Sequence, residues 1–294
     1  GPPMTGDAIN AAIGRATGTP FQLREARPIS GGCIHRAECR TGVDGRRYFV
    51  KRNRLQHASN LAAEARGLAE LASAKAVRVP DVIAQGSTDT EAFLVLEYIE
   101  MRPLTDSAQA RLGEQLAAQH RVVSERGFGF DGDNFIGATP QGNPWIDDWI
   151  TFYREHRLRP QVQLARRQGL ALASAGALFE KLPTFFDGYD PAPSLLHGDL
   201  WGGNASADEN GQPVLFDPAC YHGDREADIA FTEMFGGFSP AFYETYNAAW
   251  PLDDGYALRK RLYNLYHELN HYNLFGGGYG HSAEQSVASL LEAR

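Results

Sequence analysis

One segment constrains this chain more than any other part of its sequence: His197-Gly198-Asp199-Leu200-Trp201-Gly202-Gly203-Asn204. It is followed, after a short apolar run, by Phe216-Asp217-Pro218. A carboxylate, an amide five residues later and a second carboxylate beyond them are the groups that phosphoryl transfer from a nucleotide requires. The pattern predicts that Asp199 accepts the proton of an attacking hydroxyl, while Asn204 and Asp217 hold a magnesium ion. Because so short a match also arises by chance, the prediction depends on the rest of the chain.

Composition indicates an ordinary globular protein and argues against several functions. The 294 residues are enough for two lobes, each with its own core. A formal net charge of -8 argues against a nucleic-acid-binding surface. Three cysteines are too few for a disulfide framework or a zinc site. No apolar run reaches membrane-spanning length, and no signal peptide is recognised. We therefore expect a cytoplasmic protein that binds neither nucleic acid nor membrane.

The hydrophobic pattern predicts an α+β fold. In the first third it predicts helices over 7–18 and 58–75, with strands over 21–28, 33–40, 46–52 and 93–99. Beyond Pro103 it predicts mostly helices, over 105–125, 145–157, 160–187, 225–235, 239–249 and 254–275, with short strands around 194–197 and 213–217. This order is typical of a protein-kinase-like two-lobed fold. We expect a small antiparallel β-sheet in an N-terminal ATP-binding lobe (4–99) and a mostly helical C-terminal catalytic and substrate lobe (100–294).

Two charged residues in the first third have the spacing that a phosphotransferase needs. Such an enzyme places a cation on its third strand and a carboxylate on the following helix to hold that cation in place. Lys51 lies at the end of the third predicted strand, and Glu64 lies thirteen residues later, inside the next predicted helix. Alone, the two residues would be interpreted as solvated surface charges. Together with the first motif, they predict an ion pair that grips the phosphates of ATP.

Other nucleotide contacts are predicted from position. Ser30, Gly31 and Gly32 follow the first predicted strand, where adjacent glycines would let backbone N–H groups approach phosphate oxygens. The same glycines also fit a plain hairpin turn, and both interpretations can hold together. Glu97 and Ile99 lie where the last predicted strand leaves the sheet. In kinases, backbone groups at this point bind adenine.

The loop around Asp199 also suggests the kind of acceptor. The indole of Trp201 could stack on a sugar ring or shape the acceptor pocket, although a half-buried structural tryptophan fits as well. His197 is expected to brace the loop by hydrogen bonding, because Asp199 already serves as the base. Asp217 is followed by Pro218-Ala219 and not by Phe-Gly, and no activation loop with a phosphosite is recognised. We therefore expect an enzyme that acts on a small molecule or an adduct without activation by phosphorylation.

Further segments along nearly the whole chain follow the pattern of one family. They are Gly31-Gly32-Cys33-Ile34, Phe49-Val50-Lys51, 149–153, 157–161, 216–219, 223–230, 234–238 and 269–276. With the loop at 197–204, they resemble the fructosamine-3-kinase (ketosamine kinase) family, within the aminoglycoside phosphotransferase and choline kinase-like superfamily. The tryptophan that follows His-Gly-Asp-Leu and the Asn-His-Tyr-Asn-Leu-Phe-Gly segment at 270–276 are the features closest to this one family.

The resemblance implies phosphorylation, dependent on ATP and Mg²⁺, of the 3-hydroxyl of a ketosamine, a sugar joined to an amine by glycation. The phosphate makes the adduct unstable, so that the free amine of a small molecule or a protein lysine is recovered. Ribulosamines and erythrulosamines are expected to be preferred over fructosamines. By position, the resemblance implies that Asp199 is the base, that Asn204 and Asp217 bind the metal, and that Lys51 and Glu64 form the phosphate clamp. It implies that Glu97 and Ile99 bind adenine and that Trp201 and His271 bind the sugar. It also implies that Asp228 supports the catalytic loop.

Two of these positions have simpler interpretations. His271 also fits a helix-face histidine without a role in binding. Cys33 lies in the glycine loop, where the resemblance implies a redox-sensitive cysteine whose pKa is lowered by backbone amides. Alternatively, Cys33 is simply a small residue that fits the space available in the loop. We therefore expect a monomer or a redox-linked homodimer.

Two other functions fit parts of the sequence. An aminoglycoside or other small-molecule kinase would share Asp199, Asn204 and Asp217 and differ in its acceptor pocket. An acidic cluster would suit a polycationic drug, whereas 269–280 is rich in aromatic, amide and glycine residues. A non-catalytic pseudokinase, which would act as a binding module, normally lacks a catalytic residue, and all five expected residues are present here.

Overall fold

An antiparallel sheet with one helix on each face forms the first part of the structure, a computed structural model that describes residues 5–30 and 34–294. The five strands are arranged in the order β1-β2-β3-β5-β4. They are β1 (Leu23–Ile29), β2 (Arg36–Gly42), β3 (Arg47–Arg54), β4 (Val82–Ser87) and β5 (Glu91–Glu97). The helices are α1 (Thr5–Thr17) and α2 (Ala58–Ala74).

The two faces of this sheet pack against different cores because successive side chains of a strand point to opposite sides. Val50 of β3 and Val95 of β5 pack with Ile9 of α1 in a small outer core. Leu94 of β5 belongs instead to the larger core that includes α2 and continues into the helical part of the chain. Lys51, the neighbour of Val50, therefore points to the side of the sheet that faces α2.

The remainder of the chain is mostly helical, with three short two-stranded sheets. Its helices are α3 (Asp106–His120), α4 (Trp149–Tyr153), α5 (Arg159–Arg167), α6 (Ala175–Lys181), α7 (Glu226–Thr232), α8 (Pro240–Ala249), α9 (Tyr256–Phe275) and α10 (Tyr279–Glu292). The strand pairs are β6 (Asn134–Ile136) with β7 (Thr139–Gln141), β8 (Ser194–Leu196) with β11 (Tyr221–Gly223), and β9 (Ala205–Ala207) with β10 (Pro213–Leu215). Within the described ranges, no helix is long and apolar enough to cross a membrane.

A π-helical turn, Arg154–Leu158, joins α4 to α5 and buries an arginine. The guanidinium of Arg157 donates to the carbonyl of Gly142 at 2.7 Å and to Oδ1 of Asn143 at 2.5 Å. It also lies 4.0 Å from the ring centre of Tyr221 in β11. Arg157 therefore connects the α4–α5 segment to residues 142–143 and to β11, which pairs with the strand before the loop at 197–204.

The predicted fold class is confirmed, because a small antiparallel sheet precedes a mostly helical remainder. The single helix predicted over 160–187 is wrong. The chain leaves α5 and passes through Gly169 and Leu172, whose φ angles of 100° and 46° lie outside the right-handed helical region. Helix α3 ends before the predicted residue 125, and β4 and α10 were not predicted. The lobe boundary near residue 100 stays a prediction.

Candidate functional site

Two loops that lie far apart in sequence are held side by side at the centre of the site. The first runs from His197 to Asn204, and the second connects β10 to β11. The amide of Ala219 donates to the carbonyl of His197 at 2.9 Å, and the amide of Phe216 donates to the carbonyl of Asn204 at 3.1 Å. These two hydrogen bonds join the loops at both ends. As a result, Asp199 of the first loop lies near Asp217 of the second.

The close approach of the loops requires a glycine at 198. Gly198 has a φ of 88°, and a Cβ atom at this position would lie 1.9 Å from the carbonyl oxygen of Ala219. No other residue fits such a contact without moving the backbone. Asp217 itself has a φ of 51°, which is uncommon for a residue with a side chain. Strained conformations of this kind are typical of functional loops.

His197 links the two loops from inside the protein. Its Nε2–H donates to the carbonyl of Phe216 at 2.8 Å, and its Nδ1 accepts from the backbone amide of Asp199 at 3.1 Å. Burial lowers the pKa of His197, so that the neutral imidazole persists at pH 7. The side chain therefore braces the loop and does not face its open side.

Asp228, in the first turn of α7, holds the start of the same loop. Its carboxylate accepts from the backbone amides of His197 and Gly198, each at 2.9 Å. It also accepts from Nε2 of the fully buried His120, at 2.9 Å. Burial alone would raise the pKa of Asp228, but the hydrogen bonds from His120 and from the amide of Gly198 oppose burial, and the pKa is lowered. Asp228 thus remains a carboxylate although it is buried.

His120 was missed by the sequence interpretation. It ends α3, and its second ring nitrogen lies 2.8 Å from the hydroxyl of Tyr246 in α8. The sequence offers only a histidine at the end of an amphipathic helix, a pattern that is common and has no specific meaning. Its partners lie 108 and 126 residues further along the chain. Only the folded structure reveals the connection.

Asp199 is half-buried between its own loop and Asp217. The side-chain amide of Asn204 donates to the backbone carbonyl of Asp199 at 2.9 Å and to its carboxylate at 3.3 Å. Burial and the nearby Asp217 carboxylate raise the pKa of Asp199 well above its ordinary value. A carboxylate in this environment binds a proton more readily than a solvated aspartate does.

Lys51 connects the sheet to the second loop. Its Nζ lies 2.8 Å from Oε1 of Glu64 in α2 and 2.5 Å from Oδ1 of Asp217. Burial alone would lower the pKa of Lys51, but the two carboxylates outweigh burial and raise it. The structure therefore brings together the predicted pair, Lys51 and Glu64, and adds a contact to Asp217 that the sequence did not indicate.

The donor set fits a magnesium ion that is shared with a substrate. Asp217 offers a carboxylate, and the side chain of Asn204 offers Oδ1, because its NH₂ group donates to Asp199. Among residues 5–30 and 34–294, no group of three or more histidine, cysteine, aspartate or glutamate side chains forms a metal cluster. Mg²⁺ is commonly held by one or two protein oxygens plus phosphate oxygens and water. Two protein ligands therefore suit Mg²⁺ bound together with a nucleotide.

The predicted nucleotide contacts are only partly described. Gly31, Gly32 and Cys33 lie outside the described residues. Ser30 is exposed at the end of β1 and lines a cavity of about 310 Å³ with His35. Burial, together with the charge of Lys51, lowers the pKa of His35 to about 4. This places a neutral histidine near Lys51, a feature that the sequence interpretation did not include.

Glu97 and Ile99 lie where β5 leaves the sheet, as the sequence suggested. The Glu97 carboxylate accepts from Arg78 at 2.7 Å and from the amide of Asp81 at 3.2 Å. Arg78 also pairs with Asp208 at 2.6 Å. The backbone amide of Glu97 donates to the carbonyl of Asp81 at 2.8 Å, so both the carboxylate and the amide are engaged within the protein.

Trp201 and His271 lie on one row of aromatic rings. Trp201 is 39% exposed, and its ring centre lies 6.2 Å from that of Phe235. His271 in α9 lies 5.1 Å from the same phenylalanine. Nδ1 of His271 donates to the carbonyl of His267 at 2.7 Å, which leaves Nε2 as the acceptor nitrogen. The two residues predicted for sugar binding are therefore connected through Phe235.

Comparison with known proteins agrees with these features. The family model described as fructosamine kinase matches residues 5–293. The chain is 44% identical to a protein of Synechocystis sp. assigned as a ketoamine kinase, over 98% of each chain. It is 43% identical to the chloroplastic protein-ribulosamine 3-kinase of Oryza sativa subsp. japonica, over 93% of this chain and 81% of that protein. A crystal structure assigned as fructosamine-3-kinase from Haemophilus somnus superposes with a TM-score of 0.90 at 29% identity, covering 97% of each chain.

Proposed function

The chain belongs to the fructosamine kinase family, and we propose that it transfers the γ-phosphoryl group of ATP to the 3-hydroxyl of a ketosamine. The single observation that carries the proposal is the convergence of Lys51, Glu64 and Asp217 beside Asp199. This convergence provides a phosphate-binding cation, a metal-binding carboxylate and a base within one site. These are the parts that phosphoryl transfer requires.

Asp199 is the base in this proposal. As the hydroxyl oxygen of the acceptor bonds to the γ-phosphorus, its proton passes to the Asp199 carboxylate, and the bond between the γ-phosphorus and the bridging oxygen breaks to release ADP. The raised pKa of Asp199 favours this proton transfer. The hydrogen bonds from Asn204 fix the direction in which the carboxylate points.

Lys51 and Glu64 hold the phosphates. Without a nucleotide, Lys51 pairs with both Glu64 and Asp217. When ATP binds, Lys51 exchanges Asp217 for phosphate oxygens, while Glu64 keeps the ammonium group in place. Asp217 and Asn204 would hold Mg²⁺, which would neutralise phosphate charge. Ser30, Gly31 and Gly32 cover the phosphates, and the backbones of Glu97 and Ile99 contact adenine.

The acceptor in this proposal is a ribulosamine or erythrulosamine, with fructosamines as weaker substrates. The identity to a protein-ribulosamine 3-kinase supports this choice. Trp201 and His271 contact the sugar. His197 and Asp228 hold the loop that carries the base. The phosphorylated adduct then releases the amine, so that the enzyme reverses glycation of small amines or protein lysines.

The alternatives have less support. An aminoglycoside kinase would share the catalytic residues, but identity of 44% over nearly the full chain favours a ketosamine as acceptor. A pseudokinase does not require the ion pairs that join Lys51 to Glu64 and Asp217. Whether the chain is a monomer or a redox-linked dimer stays a prediction, since Cys33 lies outside the described residues.

Replacement of Lys51 tests the phosphate clamp. We expect Lys51→Met to lower kcat/KM for ATP on the order of 10²-fold, because one preorganised charge next to the transferring group is lost. Lys75→Met, at an exposed position at the end of α2, is the matched control and should keep wild-type kinetics. ADP release at varied ATP concentration measures both. A loss of less than about threefold in the Lys51 variant would contradict the clamp.

The proposed reaction is tested by its product. Wild-type protein with ATP, Mg²⁺ and ribulose-lysine should give one phosphorylated product, and nuclear magnetic resonance should locate the phosphate on O3. Omission of ATP or Mg²⁺ should stop the reaction. Phosphate on another oxygen would contradict the assignment of the 3-hydroxyl, and no transfer at all would contradict the activity.

A further inference from the structure

An exposed row of aromatic rings extends beyond the part of the site that the proposed reaction uses. It consists of Trp201, Phe235, His271 and Phe275, which we call the aromatic row. Of the ten large apolar side chains exposed within the described residues, three belong to it: Trp201 at 39%, Phe235 at 43% and Phe275 at 66%. The ring centres are separated by 6.2, 5.1 and 5.8 Å in that order. The row is therefore continuous.

The aromatic row begins at the catalytic loop and leads away from it. Trp201 lies two residues after Asp199, and its indole lies over Gly203, where a Cβ atom would be 2.3 Å from the ring. Phe235 lies edge-to-face beside Trp201. Phe275 lies at the exposed C-terminal end of α9, one turn beyond His271. A ligand whose reacting hydroxyl is at Asp199 can therefore extend along the row.

The charge and shape of the row restrict the ligand. Burial lowers the pKa of His271, so the row carries no positive charge at pH 7. Aromatic faces attract organic cations and pack well on methylene chains. A ketosamine has a secondary ammonium next to the sugar, and in a lysine adduct four methylene groups follow that nitrogen. The ammonium group followed by an apolar stem therefore matches the aromatic row, which leads outward from the sugar site.

We propose that the aromatic row binds the amine portion of the substrate, and that Phe235 and Phe275 select adducts of lysine side chains over adducts of short amines. The inference rests on the proposed ketosamine kinase activity. Trp201, Phe235 and His271, which follow one another in the row, lie beside the sugar, its nitrogen and the first methylene groups. Phe275, the last ring of the row, contacts the rest of the stem and the peptide that carries it. Burial of the stem stabilises the bound lysine adduct, whereas an adduct of a short amine has no stem to bury.

The test compares two substrates that share one sugar. They are the ribulose adducts of methylamine and of Nα-acetyl-lysine. For Phe275→Ala, the ratio of kcat/KM for the lysine adduct to kcat/KM for the methylamine adduct should fall about tenfold, since about one apolar contact is lost. Phe235→Ala should lower the same ratio. Phe275→Tyr, which keeps the ring, should restore most of it. Val43→Ala, at a 55% exposed position in the β2–β3 turn, is the matched control and should leave the ratio as in wild type.

Several results would overturn the inference. An unchanged ratio in both phenylalanine variants would exclude a role in selection. An equal loss of kcat/KM for both adducts would indicate that the row supports the catalytic loop and does not select the substrate. A change in the oligomeric state of Phe275→Ala, measured by analytical ultracentrifugation, would assign it to contact between copies of the chain. If wild-type protein phosphorylates neither adduct, the proposed activity fails, and the role of the row fails with it.

Discussion

Asp199→Asn is expected to reduce kcat for ketosamine phosphorylation by about 10²- to 10⁴-fold, the range typical for loss of a general base. Asparagine has nearly the same shape and can keep the contacts with Asn204, but its amide does not accept the hydroxyl proton. Binding of ATP should change little, because Lys51, Glu64 and Asp217 remain in place. ADP release with ribulose-lysine measures kcat, and nucleotide titration measures binding.

The control for this change is Asp89→Asn, at an exposed residue in the β4–β5 turn, which should behave as wild type. A thermal unfolding curve close to that of wild type would show that Asp199→Asn is folded. An Asp199→Asn protein that keeps more than about a tenth of wild-type kcat would contradict the assignment of the base.

Asp228→Ala is expected to destabilise the protein by about 3–5 kcal/mol, because each donor that loses its acceptor costs about 1–3 kcal/mol. The change leaves three donors without this acceptor: the buried amide of His197, the part-buried amide of Gly198 and the buried ring of His120. Because these donors hold the start of the catalytic loop, kcat should fall as well. Urea unfolding measures the free energy, and Asp228→Asn, which keeps one acceptor oxygen, should lose less.

The comparison variant is Asp187→Ala, an exposed aspartate in the same part of the chain. It should leave the unfolding midpoint unchanged. The lowered pKa of Asp228 also predicts a dependence on pH. The contribution of Asp228 to the free energy of unfolding is complete above the ordinary pKa of 3.8, and it is lost as the pH falls through the lower pKa of the folded state. The difference between wild type and Asp228→Ala should therefore shrink in acid. A difference below about 1 kcal/mol at pH 7 would contradict the role of Asp228.

The fold could be predicted where the sequence pattern is local. The turn signal before β3, the apolar run of β5 and the spacing of apolar residues in α2 predicted those elements closely. Strand β4 was missed because its sequence, with exposed and half-buried positions, lacks a clear apolar alternation. The break after α5 depends on backbone angles at Gly169 and Leu172, and a leucine gives no signal for a positive φ.

The site could be predicted where residue type and spacing are specific. The spacing of Lys51 and Glu64 indicated a pair, and the structure places their charged atoms 2.8 Å apart. The contact of Lys51 with Asp217 spans 166 residues and depends on how the sheet meets the helical part of the chain. The same is true of His120 and Asp228. Such contacts are set by tertiary packing and have no local pattern in the sequence.

The aromatic row illustrates the limit of the resemblance. The family pattern assigned Trp201 and His271 to the sugar but gave no role to Phe235 or Phe275. Their exposure and their ring contacts are properties of the folded surface. An exposed phenylalanine at the end of a helix is meaningful only once its neighbours are known.

The most direct test of the central claim is one phosphate-transfer assay over a panel of acceptors. The panel contains ribulose-lysine, fructose-lysine, an aminoglycoside and choline, each with ATP and Mg²⁺, and ADP release is measured for each. We predict that kcat/KM is highest for ribulose-lysine and exceeds that for the aminoglycoside and for choline by at least about 10²-fold. Transfer to the aminoglycoside or to choline, with none to either ketosamine, would contradict the account.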